Sequence, residues 1–531
     1  MKKKNILKSS ILISAIVLVF TGCTNKSSKS SELTFQRHKT LANLEFDRGY
    51  PTADSAEALQ QELAFQRATQ AYLWALPITN MRAMQEGHAE LMGGTSYNKI
   101  AIYEDRLKPN TIIATPNSDV IYGLAWLDMK DTGPLVIEAP AGLQSLVDNM
   151  LHDALVGPKK KDGTHYSGDI GIAGPDQGKG GTFLILPPGE SRANYDSNKY
   201  FIYESNTYEV FLLLRSFFMD INNTAPAVDL MKKTKIYPLI GEAKPMEYYE
   251  VSDIPSNSLS PKDWTYFEQL DRTIQAEPIL EVDPYMNGIL ASLGIKKGYK
   301  FNPSDAEKEM LTLAAQTGWK IAKEVALNFD EKGRDTVGRT IFWEESPSWV
   351  AHALVDEDGN QYASMSDTSY NSIETGHTNV DAKIHMYINH FSISDGMINA
   401  KIGRGAKYAG AYKDSNGEYL RGERTYSITL PKNVPAGLFW SLTAYDAETA
   451  AGVPSNNKYP SIGDRDNPIK NPDGSTTLWF GPSLPEGAYT ENYVHIPKDK
   501  NWFSLIRLYG PKKSLFTGEW IPGEFIEIES N

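Results

Sequence analysis

Residues 114–128 read ATPNSDVIYGLAWLD, a proline-bearing polar turn that runs straight into an apolar strand. Side chains alternate across a strand. Extended back through the turn, that alternation groups Asn117, Asp119, Ile121, Gly123 and Ala125 on one face, with Tyr122, Leu124 and Trp126 on the other. Small residues at 123 and 125 leave room above the sheet, so a cavity lined at one end by Asn117 and Asp119 is expected there. The competing reading is local: Asn117 caps the turn after Pro116, and Asp119 takes backbone hydrogen bonds or pairs with an arginine.

Further β-rich runs surround this one, among them TIIAT, GPLVIEAP, GTFLILPP and YEVFLLLRSFFM, separated by Gly, Pro, Asp and Asn clusters. Short strands at such spacing point to a sandwich and not to alternating βαβ units. The glycine-rich GIAGPDQGKGGTF precedes a strand and lacks the lysine and hydroxyl of a phosphate-binding loop, so it reads as a turn. Upstream, apolar residues from Ala53 to about Glu90 recur at helical spacing, with Pro77 expected to end or kink the helix near Trp74. Helices return between about 241 and 329, one with Ser260 as its expected N-cap and one introduced by Asn302, Pro303 and Ser304. Strands dominate again from about Gly405. The expected fold class is mainly β with helical additions, α+β overall. Two β-sandwich modules, 46–240 and 401–531, are joined by a helical and mixed segment, 241–400.

The N-terminus reads as export. Lys2, Lys3 and Lys4 precede an apolar run, Ile11–Phe20, too short for a membrane span, and the run closes on FTGC. That ending resembles a bacterial lipobox, so residues 1–22 are expected to be a signal peptide and Cys23 the lipidated anchor. Residues 23–45 then read as a flexible tether. Thr24, in place of aspartate, points to an outer-membrane lipoprotein facing the periplasm. Cys23 is the chain's one cysteine, which removes disulfides and thiolate chemistry from the mature domains. A net charge of −13 argues against nucleic acid, because neutralising phosphates needs a basic surface. No sequence motif calls for a cofactor.

Other candidates are sparser. Arg215 is the one charge inside VFLLLRSFFM and needs a carboxylate, a carbonyl or an anionic ligand; Asp119 is a possible partner. Asp148 and His152 could meet across one helical turn. His377, His385 and His390 are spaced by eight and five, which suits neither a helical zinc motif nor one strand face, so no metal site is expected. Glu344, Glu345 and Asp356–Asp358 read as loop acids. The C-terminal aromatics Trp440, Tyr445, Trp479, Trp502, Tyr509 and Trp520 suit either sandwich core or stacking on a ligand.

In GERTYSITLPKNVPAGLFWSLTAYD, NKYPSIGDRD, NPDGSTTLWF and WFSLIRLYGPKKSLFTGEWIPGEF the chain resembles the bacterial family known as domain of unknown function 1214. YLWALPITNMRAM, TPNSDVIYGLAWLDM and GPLVIEAP resemble its usual upstream companion, domain of unknown function 1254. The resemblance implies two jelly-roll-like sandwiches in an envelope protein, and no established reaction. It places the upstream motif on Asn117, Asp119 and Tyr122, with Val120 where the family has threonine. Downstream, Lys458 stands where an arginine is usual, while Trp502, Arg507, Tyr509 and Pro511 remain. The candidate binding residues are therefore Asn117, Asp119, Tyr122, Trp126, Arg215 and Arg507. They would serve either a cleft for a small molecule, glycan or protein partner, or a carboxylate-dependent hydrolase or lyase with Asp119 as acid or base and Asn117 orienting the substrate.

Overall fold

The computed structural model describes residues 27–278, 283–327, 340–343, 345–351, 371–372, 377–378, 380–398 and 402–528. Cys23, the expected signal peptide at residues 1–22, Glu344 and Asp356–Asp358 lie outside the described residues, as does the side chain of His377. The chain divides into two units, Met1–Leu63 and Ala64–Asn531. In the first, Ser27–Ala42 is helical where a flexible tether was expected; the segment holds neither glycine nor proline to break a helix. An Arg37–Glu62 ion pair at 2.7 Å lies in the same unit.

The second unit is mainly β with helical additions, and its strands form sandwich-like layers. Its N-terminal part stacks two six-stranded sheets. One has the order Asp169–Gly171, Gln144–Asn149, Glu209–Ser216, Ile121–Asp128, Lys99–Ile102, Glu247–Glu250; Leu135–Ala139 and Gly181–Leu186 lie centrally in the other. Ile121, Ala125 and Leu127 meet Leu135, Ile137 and Phe183 in the core between the sheets. On the opposite face of the first sheet, Leu124, Trp126 and Phe211 pack against Met81 and Met84 of the helix Ala53–Leu91.

That helix runs through Pro77 without ending. Tyr72, Ala75, Leu76 and Ile78 are buried around the proline against Tyr266, Leu270 and Ala314, and packing of this kind offsets the roughly 3 kcal/mol a helix-interior proline costs. Ser260 does not cap a helix; it bonds Asn80, and the helix Thr265–Ala276 starts where Asp263 accepts the Thr265 N–H at 2.9 Å. Ser304 and Glu307 bond reciprocally at the start of the helix Asp305–Leu327, with Ser304 N–H to Glu307 Oε2 at 2.7 Å and Glu307 N–H to Ser304 Oγ at 3.4 Å.

The C-terminal sandwich starts earlier than residue 401, because Thr340–Trp343 and Ser346–Ala351 are strands of its six-stranded sheet. In that sheet Ala406–Ala411, Trp502–Tyr509 and Trp440–Asp446 run side by side. Trp440, Leu442, Ala444, Trp502, Ile506 and Leu508 face the four-stranded partner sheet. Phe439, Arg507 and Tyr509 have the opposite parity, and Phe439 and Tyr509 meet Val120 and Phe217 of the N-terminal sandwich.

Candidate functional site: a cationic cavity between the sandwiches

One turn sets the geometry. Ser118–Val120 is a turn and the strand begins only at Ile121, so strand parity does not reach Asn117 and Asp119. Asn117 Oδ1 accepts the Asp119 N–H at 2.8 Å, a local bond of the kind the residue type favours. The expected small-residue floor is closed as well: a Cβ at Gly123 would lie 2.5 Å from Met231 Sδ, so the helix Ala225–Met231 already occupies that face. The space lies on the other side of the strand, next to Tyr122.

There a cavity of about 110 Å³ is walled by both sandwiches and by residues 386–397, room for several water-sized groups. Asn117, Tyr122 and Arg215 come from the first sandwich; Lys407, Arg507 and Tyr509 come from the second. Met386, Phe391, Met397, Leu213 and Leu505 supply apolar wall. No acidic residue occurs among the described residues that line it.

The three cations differ in their partners. Arg507, 3% exposed, donates to Thr443 Oγ1 at 3.2 Å and to the Thr115 carbonyl at 3.1 Å. Arg215, 6% exposed, has Nε and Nη2 buried with no hydrogen-bond partner. No ion pair joins it to a carboxylate among the described residues. Lys407, 4% exposed, is likewise without a hydrogen bond or ion pair among them, and burial pushes its ammonium down to about 8. Burying unpaired charge is expensive and structures avoid it unless a partner arrives.

The polar rim is preset. Burial disfavours the Arg507 charge, yet the tyrosine oxygens of Tyr445, Tyr509, Tyr408 and Tyr122 hold its pKa above the usual range. Burial raises Tyr122 and Tyr509, so both hydroxyls stay protonated as donors. Asn117 Nδ2 donates to the Tyr509 hydroxyl, tying the two sandwiches together at the cavity wall. Two wall residues are backbone outliers, Thr115 with φ 43° and Ser392 with φ 65°. A β-branched residue at positive φ is strained, and such strain concentrates at functional sites. Thr115 is held by its N–H on Ala450 O at 2.7 Å and by Oγ1 with His390 Nδ1 at 3.2 Å. Ser392 is held by its N–H donating to His152 Nε2 at 2.9 Å.

Of the residues singled out in the sequence, the cavity brings together Asn117, Tyr122, Arg215 and Arg507. Asp119 does not line it. Its Oδ1 lies 3.3 Å from Arg106 Nη2 and 3.7 Å from Arg465 Nη2, and its carbonyl accepts from Arg465 at 2.7 Å. Arg465 stacks over the Phe439 ring at 3.7 Å, so Asp119 is pinned across the two sandwiches and is not Arg215's partner. Trp126 is 1% exposed in the layer beneath the helix Ala53–Leu91, away from the cavity. Asp148 and His152 do not pair across a helical turn: Asp148 lies in the strand Gln144–Asn149 and His152 in the turn that follows it, and they accept the N–H groups of Ile393 and Ser392 respectively. His390 lines the cavity, while His385 Nδ1 meets the Ala326 carbonyl at 3.2 Å. No group of three metal-ligating side chains occurs among the described residues. Lys458 bonds Asp105 at 3.2 Å, outside the cavity wall. Of the C-terminal aromatics, only Tyr509 lines the cavity; Trp440, Trp502 and Trp520 are sandwich core.

Lys407 and Tyr408 were missed from sequence. The usable signal is a lone cation in the small-residue strand AKYAGA, the same signal that marks Arg215 in its leucine-rich strand.

The crystal structure of the VPA0106 protein from Vibrio parahaemolyticus is similar over 88% of this chain and 100% of that one, at 16% identity and a TM-score of 0.50, a likeness of fold. A putative uncharacterized protein from Burkholderia cenocepacia matches over 89% of this chain and 96% of its own, at 12% identity and a TM-score of 0.37. The comparison with curated proteins gives no match. Family models described as proteins of unknown function match residues 97–238 (DUF1254) and 405–513 (DUF1214), so that Asn117, Tyr122 and Arg215 fall in one and Lys407, Arg507 and Tyr509 in the other. The chain thus carries a DUF1254 segment followed by a DUF1214 segment.

Proposed function

We propose that this chain is a lipid-anchored envelope protein that binds a small organic oxyanion, a carboxylate or phosphate ester, in the cavity between its two sandwiches. The observation that carries this is Arg215: a buried guanidinium with two nitrogens unpartnered, beside Lys407 and Arg507, in a wall without acidic residues among those described. A planar fork suits a carboxylate or phosphate, and an anion would turn the burial costs of Arg215 and Lys407 into charge-assisted hydrogen bonds. Met386, Phe391 and Met397 would cover the ligand's apolar body. An uncharged glycan would leave the cations unmatched, and a folded protein partner does not fit a space of about 110 Å³. The hydrolase or lyase reading loses its base, since Asp119 stands outside the cavity between two arginines.

A thermal-shift panel tests this at neutral pH with aliphatic and aromatic carboxylates, phosphate esters and the matching neutral amides. Acids or esters are expected to raise Tm where amides do not. Equal shifts from acids and amides, or no shift from any anion, would count against the proposal. Anchoring through Cys23 has its own check: Cys23→Ala is expected to move the protein from the membrane to the soluble fraction, and unchanged membrane recovery would reject the anchor.

Lys407 gives the proposal a pH signature. A lysine at about 8 in the folded protein against the usual 10.5 takes up its proton more readily when unfolded. The burial cost, on the order of 3 kcal/mol, is therefore present in full below pH 8 and relieved as pH rises toward 10.5, so stability rises across that window. A bound anion favours the ammonium, so affinity should move the other way, falling above pH 8 by up to about tenfold per unit. Lys323, also pushed to about 8 by burial, adds to the stability trend but does not line the cavity. Titration calorimetry from pH 7 to about 10 should show the fall in wild type and a flat profile in Lys407→Met. A fall of equal size in the variant would remove Lys407 from the site.

A further inference from the structure

The cationic cavity is one of three in a row. A second, of about 50 Å³, shares Thr115, Tyr122, Leu213 and Phe391 with it. A third, of about 40 Å³, shares Ile113, Ala114 and Phe391 with the second. Phe391 borders all three.

Their chemistry changes in order along the row. The first holds Arg215, Lys407 and Arg507. The second has no charged residue among its described walls, which include Met84, Leu107, Ile113, Leu124 and Phe211. The third joins apolar wall from Leu76, Leu259, Trp319 and Ile388 to the polar Asn80 and Ser260 and to the ion pair of Lys262 with Glu448, whose side chains are 35% and 61% exposed. The row therefore runs from a buried cationic end, through an uncharged and largely apolar waist, to a largely apolar end that meets the exposed Lys262–Glu448 pair. From these observations, and resting on the anion-binding reading above, we infer that the ligand is an amphiphile: an oxyanion head against Arg215 and Lys407, and an unbranched apolar tail that displaces Phe391 and extends past Leu213 toward Ala114. A compact anion would fill the first cavity and leave the apolar waist unused. A tail in the waist removes its methylenes from water, a gain that scales with the buried area.

Titration calorimetry of the full protein with straight-chain monocarboxylates of increasing length reads this directly, with alkyl phosphates as a parallel series to separate the two head groups. Affinity should rise about fourfold per methylene while the tail is filling the waist, then level off. Ala114→Phe, at the neck between the second and third cavities and away from the cations, should leave short acids unchanged and bring the plateau forward by several carbons. Short-acid binding serves as the variant's own folding control. Affinity flat with chain length while acids still bind would overturn the amphiphile and leave the anion site standing. A wild-type plateau reproduced unchanged in Ala114→Phe would overturn the placement of the tail. Failure of every acid and phosphate to bind would overturn both readings.

Discussion

Replacing Arg215 by methionine is expected to make the empty protein more stable and the ligand-binding protein nearly inactive. In the folded state Arg215 keeps two buried nitrogens without partners, a loss of about 1–3 kcal/mol that an apolar side chain of similar length would recover. The same change removes the fork that meets the anion. Truncating one member of a buried, hydrogen-bonded charge pair costs about 2–5 kcal/mol, so affinity for the best anion of the panel should drop by roughly a hundredfold. Arg215→Lys should fall between the two, because it keeps the charge and loses the bidentate geometry. Urea midpoints and titration calorimetry check both halves. A residue buried for structure alone would lose stability on substitution, so a destabilised Arg215→Met would contradict the assignment.

Asp119→Ala is expected to act in the opposite sense. Its carboxylate lies between Arg106 and Arg465, and the three side chains are 5%, 4% and 16% exposed. Removing the acid leaves two guanidinium groups facing each other with less compensation, and breaking a buried pair in this way costs about 3–5 kcal/mol. Arg106 would retain the Ser118 carbonyl at 2.6 Å and Asp466 at 3.5 Å, and Arg465 the Phe218 carbonyl at 2.8 Å, which places the loss toward the lower end. Anion affinity should decline less than stability, because the carboxylate positions the turn carrying Asn117 and does not touch the ligand. Equilibrium urea unfolding measures the first and calorimetry the second. Stability within about 1 kcal/mol of wild type would show that the pin is unimportant.

The contrast between these two residues marks what the sequence could and could not reveal. Strand alternation correctly separated Tyr122, Leu124 and Trp126 from Ile121, Gly123 and Ala125, because that rule is local. It could not tell which face was open. Gly123 is covered by Met231, more than a hundred residues away in the chain, and the turn at Ser118–Val120 took Asn117 out of phase with the strand. Asn117 and Tyr122 consequently share a wall although parity had placed them on opposite faces. Arg215 stood out as a lone charge among leucines, a composition signal. Its supposed partner failed because Asp119 is claimed by Arg465 from the other sandwich, a pairing that exists only after the two modules meet. Pro77 shows the same limit on the fold: the local preference to end the helix is real, and burial of its neighbours outweighs it.

The most direct measurement is diffraction from crystals of the protein soaked in 4-bromobenzoate, read through the bromine anomalous signal and compared with Arg215→Met crystals treated identically. The expected result is a single bromine peak in the cavity beside Phe391, with the carboxylate within hydrogen-bond reach of Arg215 and Lys407, and no peak in the variant. A cavity with no bromine, or an Arg215 already paired to a protein carboxylate in the unsoaked crystal, would contradict the account.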